Sequence, residues 1–151
     1  MTAPSTLWSE LQGLDYSIKH VQVGDWSTRV ARTGRGEPLV LMHGTGGHLE
    51  AFVRNFRALG EHYEVIAFDS PGHGWTTVAD HDLEIPEYQD HLLALMDALG
   101  IESAHVSGES LGGWIAVKFA AANPERVRSL ILNTPASTLW AGGLGTLVTH
   151  K

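Results

Sequence analysis

The stretch Ser103-Ala104-His105-Val106-Ser107, followed by Gly108-Glu109-Ser110-Leu111-Gly112 and then Gly113 to Asn123, decides the fold. Its centre reads G-x-S-x-G. That pentapeptide alone means little in a chain with 17 glycines. Its setting means more. Residues 104–107 read as a buried strand, and Leu111, Ile115, Phe119 and Ala122 recur as one stripe of a helix that Asn123-Pro124 closes. A strand that turns sharply into a helix at a serine lifts the Ser110 hydroxyl above the sheet and aims the helix N-terminus at whatever the serine attacks. Gly108 and Gly112 then have a steric task, because residues flanking such a tight turn must be small. This pattern points to a nucleophilic hydrolase.

Working outward, the elements repeat. Ser17–Val23 and Ser27–Thr33 read as a hairpin around Gly24-Asp25-Trp26. Pro38 to Met42 is a continuous apolar run, as expected for a strand covered on both faces. Phe52, Phe56 and Leu59 give a helical stripe, and Val65–Phe68 is the next strand. Pro86 opens a helix with the stripe Tyr88, Leu92, Leu95, Met96 and Leu99, which Gly100 ends. Val127–Leu132 reads as a fourth buried strand. The order is a hairpin followed by β-α-β-α-β-α-β. It predicts an α/β fold with a mostly parallel sheet, helices on both faces and right-handed crossovers. A site in such a sheet lies beyond the carboxyl ends of the strands, after Met42, Phe68, Ser107 and Leu132.

Two of those loops carry chemistry. After Met42 comes His43-Gly44-Thr45-Gly46-Gly47-His48, in which His43 and Gly44 open a backbone able to approach a ligand closely. Beside Ser110, this loop is expected to supply one donor of an oxyanion hole, and Leu111 N–H the other. Losing one such donor typically costs about 2.7–4 kcal/mol of barrier. After Phe68 comes Asp69-Ser70-Pro71-Gly72-His73-Gly74. Asp69 and His73 resemble an acid and base pair, but both precede the nucleophile. Asp69 is expected to fix the turn through backbone N–H groups instead.

Composition narrows the partners. The net charge of −7 argues against nucleic acid and anionic membranes. The chain has no cysteine, which removes disulfides, thiolate metal sites and a Cys nucleophile. His20, His62, His81, His91 and His105 lack metal-ligand spacing and read as surface or core histidines. The Gly-rich loop lacks the Lys-Ser/Thr of a phosphate loop, so no nucleotide, metal or other cofactor is expected. Met1–Leu14 has no basic segment leading into an apolar run, and no stretch is long enough to span a bilayer. A cytoplasmic protein acting on a small molecule is the expectation.

Together, the His43-Gly44 loop, the Asp69-to-Gly74 turn and the Gly108-to-Gly113 elbow resemble the α/β-hydrolase fold superfamily from about Tyr16 to Pro135. Within it the chain is most similar to the meta-cleavage product hydrolases and their esterase-like relatives. The resemblance implies a serine hydrolase that cleaves a C–C bond in a ring-fission diketone, or a carboxylester. It places the nucleophile on Ser110 and the oxyanion donors on Leu111 and Thr45, with Gly46 as second choice in the loop. Members often carry Asn where this chain has Glu109, and Asn in the helix near Asn55. A serine at the elbow also argues against the branches that use an Asp nucleophile.

The same resemblance implies a triad order of Ser, then Asp or Glu, then His. After Ser110 the only acid is Glu125 and the only histidine is His150. Glu125 falls in the helix-to-strand turn, at the end of the sheet away from the elbow, so these two are not expected to form a triad. Residues 1–137 therefore read as the N-terminal part of a hydrolase core, and 138–151 as the start of a cap. Tail residues Leu139, Trp140, Leu144, Leu147 and Val148 predict association, a homo-oligomer included. The alternative is an inert module of the same fold that only binds small apolar acyl or aromatic compounds.

Overall fold

A computed structural model describes residues 6–136. The described residues form one sheet of six strands in the order β1-β2-β4-β3-β5-β6. The strands are β1 (Tyr16–Val23), β2 (Trp26–Thr33), β3 (Glu37–Met42), β4 (Tyr63–Phe68), β5 (Ala104–Glu109) and β6 (Val127–Asn133). The helices are α1 (Leu7–Glu10), α2 (Val53–Gly60), α3 (Ile85–Ala98) and α4 (Leu111–Ala122). β1 and β2 pair antiparallel from Val23↔Trp26 outward, and β2 runs antiparallel to β4. β4, β3, β5 and β6 are parallel. The mostly parallel sheet read from the sequence is present.

The apolar run of β3 divides between two cores because side chains alternate across a strand. Val40 and Met42 join Ile66, Phe68 and Val106 under α3 and α4. Leu39 and Leu41 join Ala31, Val65 and Ala67 under Leu49, Val53 and Phe56. Burial on both faces explains why β3 and β4 read as continuous rather than alternating. α3 begins where Glu84 N–H donates to Glu87 Oε2 at 2.8 Å. It ends where Gly100 takes φ +71° and Ile101 N–H reaches Met96 O at 2.8 Å.

β6 differs from expectation. The strand exists, but it is not buried. It pairs only with β5 among the described residues, and Ile131 and Leu132 are 50% and 41% exposed. Its apolar character anticipates cover on both faces. Among the described residues, α4 packs against it. Ala122, read as part of the α4 stripe, is also exposed at the helix end. The expectations for residues 138–151, including the cap assignment, the apolar tail and His150, lie outside the described residues.

His91 belongs to the α3 core. Its Nε2 lies 2.8 Å from Thr28 Oγ1, while Nδ1 has no partner. The rings of Trp26 and Phe68 flank it at 6.3 and 5.8 Å. Burial pushes its pKa down to about 4 from 6.5. A histidine whose folded pKa is depressed favours the folded state fully above the unfolded pKa, and that advantage is lost as pH falls from 6.5 through about 4. Unfolding free energy is expected to fall by up to about 3 kcal/mol over that window. Urea titrations at about pH 7.5 and about pH 4.5 measure it, and His91→Leu is expected to flatten the profile. Equal slopes in the two proteins would assign the acid sensitivity to other groups.

Candidate active site at the strand-to-helix elbow

Ser110 joins β5 to α4 in a conformation that side chains rarely adopt, with φ +50° and ψ −114°. Such a backbone costs on the order of 1–3 kcal/mol and persists only where its surroundings enforce it. Here they do. Ser110 N–H donates to Asn133 O at 3.1 Å, at the end of β6. Ser110 O accepts from Trp114 N–H at 3.0 Å and from Ala136 N–H at 2.8 Å. The turn after β6 thus braces the serine from both sides. Its own Thr134 is the other non-glycine residue at positive φ among the described residues, at +43°.

The flanking glycines sit where no side chain fits. A Cβ on Gly108 would lie 2.3 Å from Gly112 O. One on Gly112 would lie 2.5 Å from Met42 O and 2.6 Å from His43 O. One on Gly113 would lie 2.8 Å from Pro135 Cβ. The first turn of α4 therefore packs backbone to backbone against the ends of β3 and β5. This is possible because β3 and β5 are neighbours, with Met42 opposite Gly108.

The loop after β3 reaches the same spot. A Cβ on Gly44 would lie 3.0 Å from Ser110 Cβ and 3.6 Å from Ser110 Oγ, so this backbone passes directly beside the serine. Thr45 and Gly46 follow in an exposed turn closed by Gly47 N–H donating to Gly44 O at 3.0 Å, with Gly46 at φ +71°. Leu111 is the first residue of α4. Its N–H lies in the first turn, where a helix leaves donors without an intrahelical acceptor.

His43 is buried, and both of its ring nitrogens are engaged. Nδ1 donates to Gly44 O at 2.8 Å, and Nε2 accepts from Ser70 N–H at 3.0 Å. Burial holds its pKa below the ordinary histidine value. Asp69 is fully buried and accepts from Leu49 N–H at 2.7 Å and Trp75 N–H at 2.9 Å. It is the turn anchor that its position suggested. His73 Nδ1 donates to Pro71 O at 3.0 Å. Among the described residues, no histidine or carboxylate hydrogen-bonds Ser110 Oγ. Glu125 lies in the short turn Pro124–Arg126 that precedes β6, at the opposite end of the sheet from the elbow.

Sequence reasoning missed the brace from Asn133 and Ala136, whose backbone contacts carry no residue signature. It also missed Arg29, which reaches this end of the sheet from β2 as one polar residue in an alternating strand.

The alpha/beta hydrolase fold family matches residues 37–148. The chain belongs to that family. It is 40% identical over 75% of its length to the dihydrolipoyllysine-residue acetyltransferase component of the acetoin cleaving system of Pseudomonas putida, and covers 29% of that protein. It is 35% identical over 85% of its length to 2-hydroxy-6-oxo-6-phenylhexa-2,4-dienoate hydrolase of Comamonas testosteroni, covering 44% of it. Among solved structures, naproxen esterase from Bacillus subtilis superposes with a TM-score of 0.79 at 28% identity, over 85% of this chain and 47% of the esterase. The chain thus spans less than half the length of these relatives.

The packing predicts a graded response to adding a methyl group. Gly108→Ala places its Cβ on Gly112 O and is expected to cost roughly 3 kcal/mol or more. A Cβ on Gly46 meets nothing within 4 Å, so Gly46→Ala is expected to lose only about 1–2 kcal/mol, from its left-handed backbone. Urea unfolding of both variants checks this. Equal losses would contradict the packing account.

Proposed function

We propose that Ser110 is the nucleophile of a serine hydrolase acting on a small acyl compound or diketone. The observation that carries this reading is the strained Ser110 backbone between β5 and α4 with Gly44 packed against its side chain. In this mechanism Ser110 Oγ attacks the substrate carbonyl. The developing oxyanion lies between Leu111 N–H and Thr45 N–H, with Gly46 N–H as the second candidate in the loop. The α4 N-terminus adds its partial positive charge where negative charge develops. His43, Gly44, Gly108 and Gly112 hold this arrangement and do not react.

The proton of the Ser110 hydroxyl needs a base. His43 is unsuited, because its two ring nitrogens are committed and burial disfavours its charged form. Asp69 is occupied by backbone N–H groups and Arg29. The histidine and acid of the triad are therefore assigned to parts of the protein outside the described residues. The length of the relatives supports this, since the chain spans less than half of each. The substrate reading is hydrolysis of a C–C bond in a meta-cleavage product or of a carboxylester. It is supported by the named dienoate hydrolase and esterase among the similar proteins. No helix among the described residues is long and apolar enough to cross a membrane.

Fluorophosphonate labelling tests the assignment. The 151-residue chain is expected to label slowly, with Ser110→Ala abolishing what labelling there is, and to show no burst with p-nitrophenyl acetate. A Ser110-dependent burst would show that the base is already present. Labelling that survives Ser110→Ala would remove Ser110 from the mechanism.

A further inference from the structure

The loop that carries Thr45 and Gly46 is held at both ends by one turn. At its start, His43 Nε2 accepts from Ser70 N–H at 3.0 Å. At its end, Leu49 N–H donates to Asp69 Oδ1 at 2.7 Å. Asp69 Oδ2 also accepts from Trp75 N–H at 2.9 Å and from Arg29 Nη1 at 3.3 Å. The Arg29 guanidinium continues to Glu50, where Nη1 donates to Oε2 at 3.1 Å and Nη2 pairs with Oε1. Glu50 Oε2 in turn lies 2.7 Å from His48 Nδ1. The Asp69 side chain is fully buried, and those of Arg29 and Glu50 are 12% and 20% exposed.

A buried ion cluster of this kind adds little stability over an apolar replacement, because desolvation offsets much of the attraction. What it adds is geometry. A planar guanidinium forked between two carboxylates fixes their separation and orientation. Here the two carboxylates belong to the far end of the Gly-rich loop and to the turn that anchors it. We propose that Arg29, Asp69 and Glu50 form a positioning clamp that sets the orientation of the Thr45–Gly46 backbone toward Ser110. The proposal rests on the reading of that backbone as an oxyanion donor. None of the three residues contacts the reacting atoms, so each is a positioning residue. Their effect travels through Leu49 N–H and the loop.

The test uses the full chain as wild type, Arg29→Met, Glu50→Gln and Ser110→Ala, with Arg128→Met as a control. Arg128 pairs with Glu37 at the start of β3, away from the elbow. The first readout is amide hydrogen exchange at Gly47 and Leu49, whose N–H groups bond to Gly44 O and Asp69 Oδ1. The second is affinity for phenylboronic acid, whose boron takes the serine oxygen as a fourth ligand and becomes a tetrahedral anion as the hydroxyl proton passes to water. Arg29→Met and Glu50→Gln are expected to speed exchange at Gly47 and Leu49 and to weaken the boronate, each by roughly tenfold to a hundredfold, while exchange in α3 and β5 stays as in wild type. Arg128→Met is expected to change neither. A purely structural role would lower the unfolding midpoint without moving the loop or the boronate. If both variants match the Arg128→Met control in the two readouts, the clamp is overturned. Should Arg29→Met fail to fold, Glu50→Gln decides alone, since it removes charge from the more exposed partner and keeps the side chain's shape. A boronate that binds Ser110→Ala as tightly as wild type overturns the oxyanion reading. Exchange at Gly47 and Leu49 still decides the clamp in that case.

Discussion

The backbone contact between the start of α4 and the ends of β3 and β5 governs this end of the molecule. Gly112 O lies 2.3 Å from where a Gly108 side chain would begin, and Met42 O lies 2.5 Å from where a Gly112 side chain would begin. Only glycine at both positions lets the helix start that close to the sheet. That approach forces the intervening residue into a tight reversal, and Ser110 takes φ +50° as a result. The strain is local, but the restraints come from elsewhere in the chain. They include the Asn133 and Ala136 hydrogen bonds and the Gly44 backbone packed beside the serine.

A second layer of order lies in polar groups that the core encloses. His43 joins the loop after β3 to the turn after β4, and Asp69 joins that turn to the end of the same loop. Both side chains are buried, and both are satisfied by backbone N–H groups that would otherwise be left without acceptors. Asp69 and His73 stand at a strand end beside a candidate nucleophile and look like an acid and base pair. Their bonding shows them spent on the turn, Asp69 on Leu49 and Trp75 and His73 on Pro71. The site therefore separates into a positioned serine and a surrounding frame in which His43, Asp69 and His73 are already occupied.

Much of this was legible beforehand because it follows from periodicity. The apolar runs at 38–42 and 65–68 had to be strands covered on both faces, and two helix-bearing faces supply that cover. The stripe from Tyr88 to Leu99 had to be an amphipathic helix, and Pro86 in its first turn and Gly100 just past its end bound it as expected. The exposure of β6 was not legible. Its residues have the same apolar character as β4, but among the described residues β6 has one strand neighbour where β4 has two. His91 gave no signal either, since a histidine on an apolar stripe reads the same whether it meets Thr28 and two aromatic rings or solvent.

By itself the sequence determined the order of elements, the parallel sheet, the elbow at Ser110 and the need for glycine around it. Each of these is a local property, written in the spacing of apolar residues and in where side chains are absent. Tertiary structure alone decided which distant groups meet at the elbow: Gly44 against Ser110, Asn133 and Ala136 on its peptide groups, and Arg29 across to Asp69 and Glu50. Those contacts join residues 21 to 66 positions apart through strand register and helix crossing. No short stretch of sequence encodes either one.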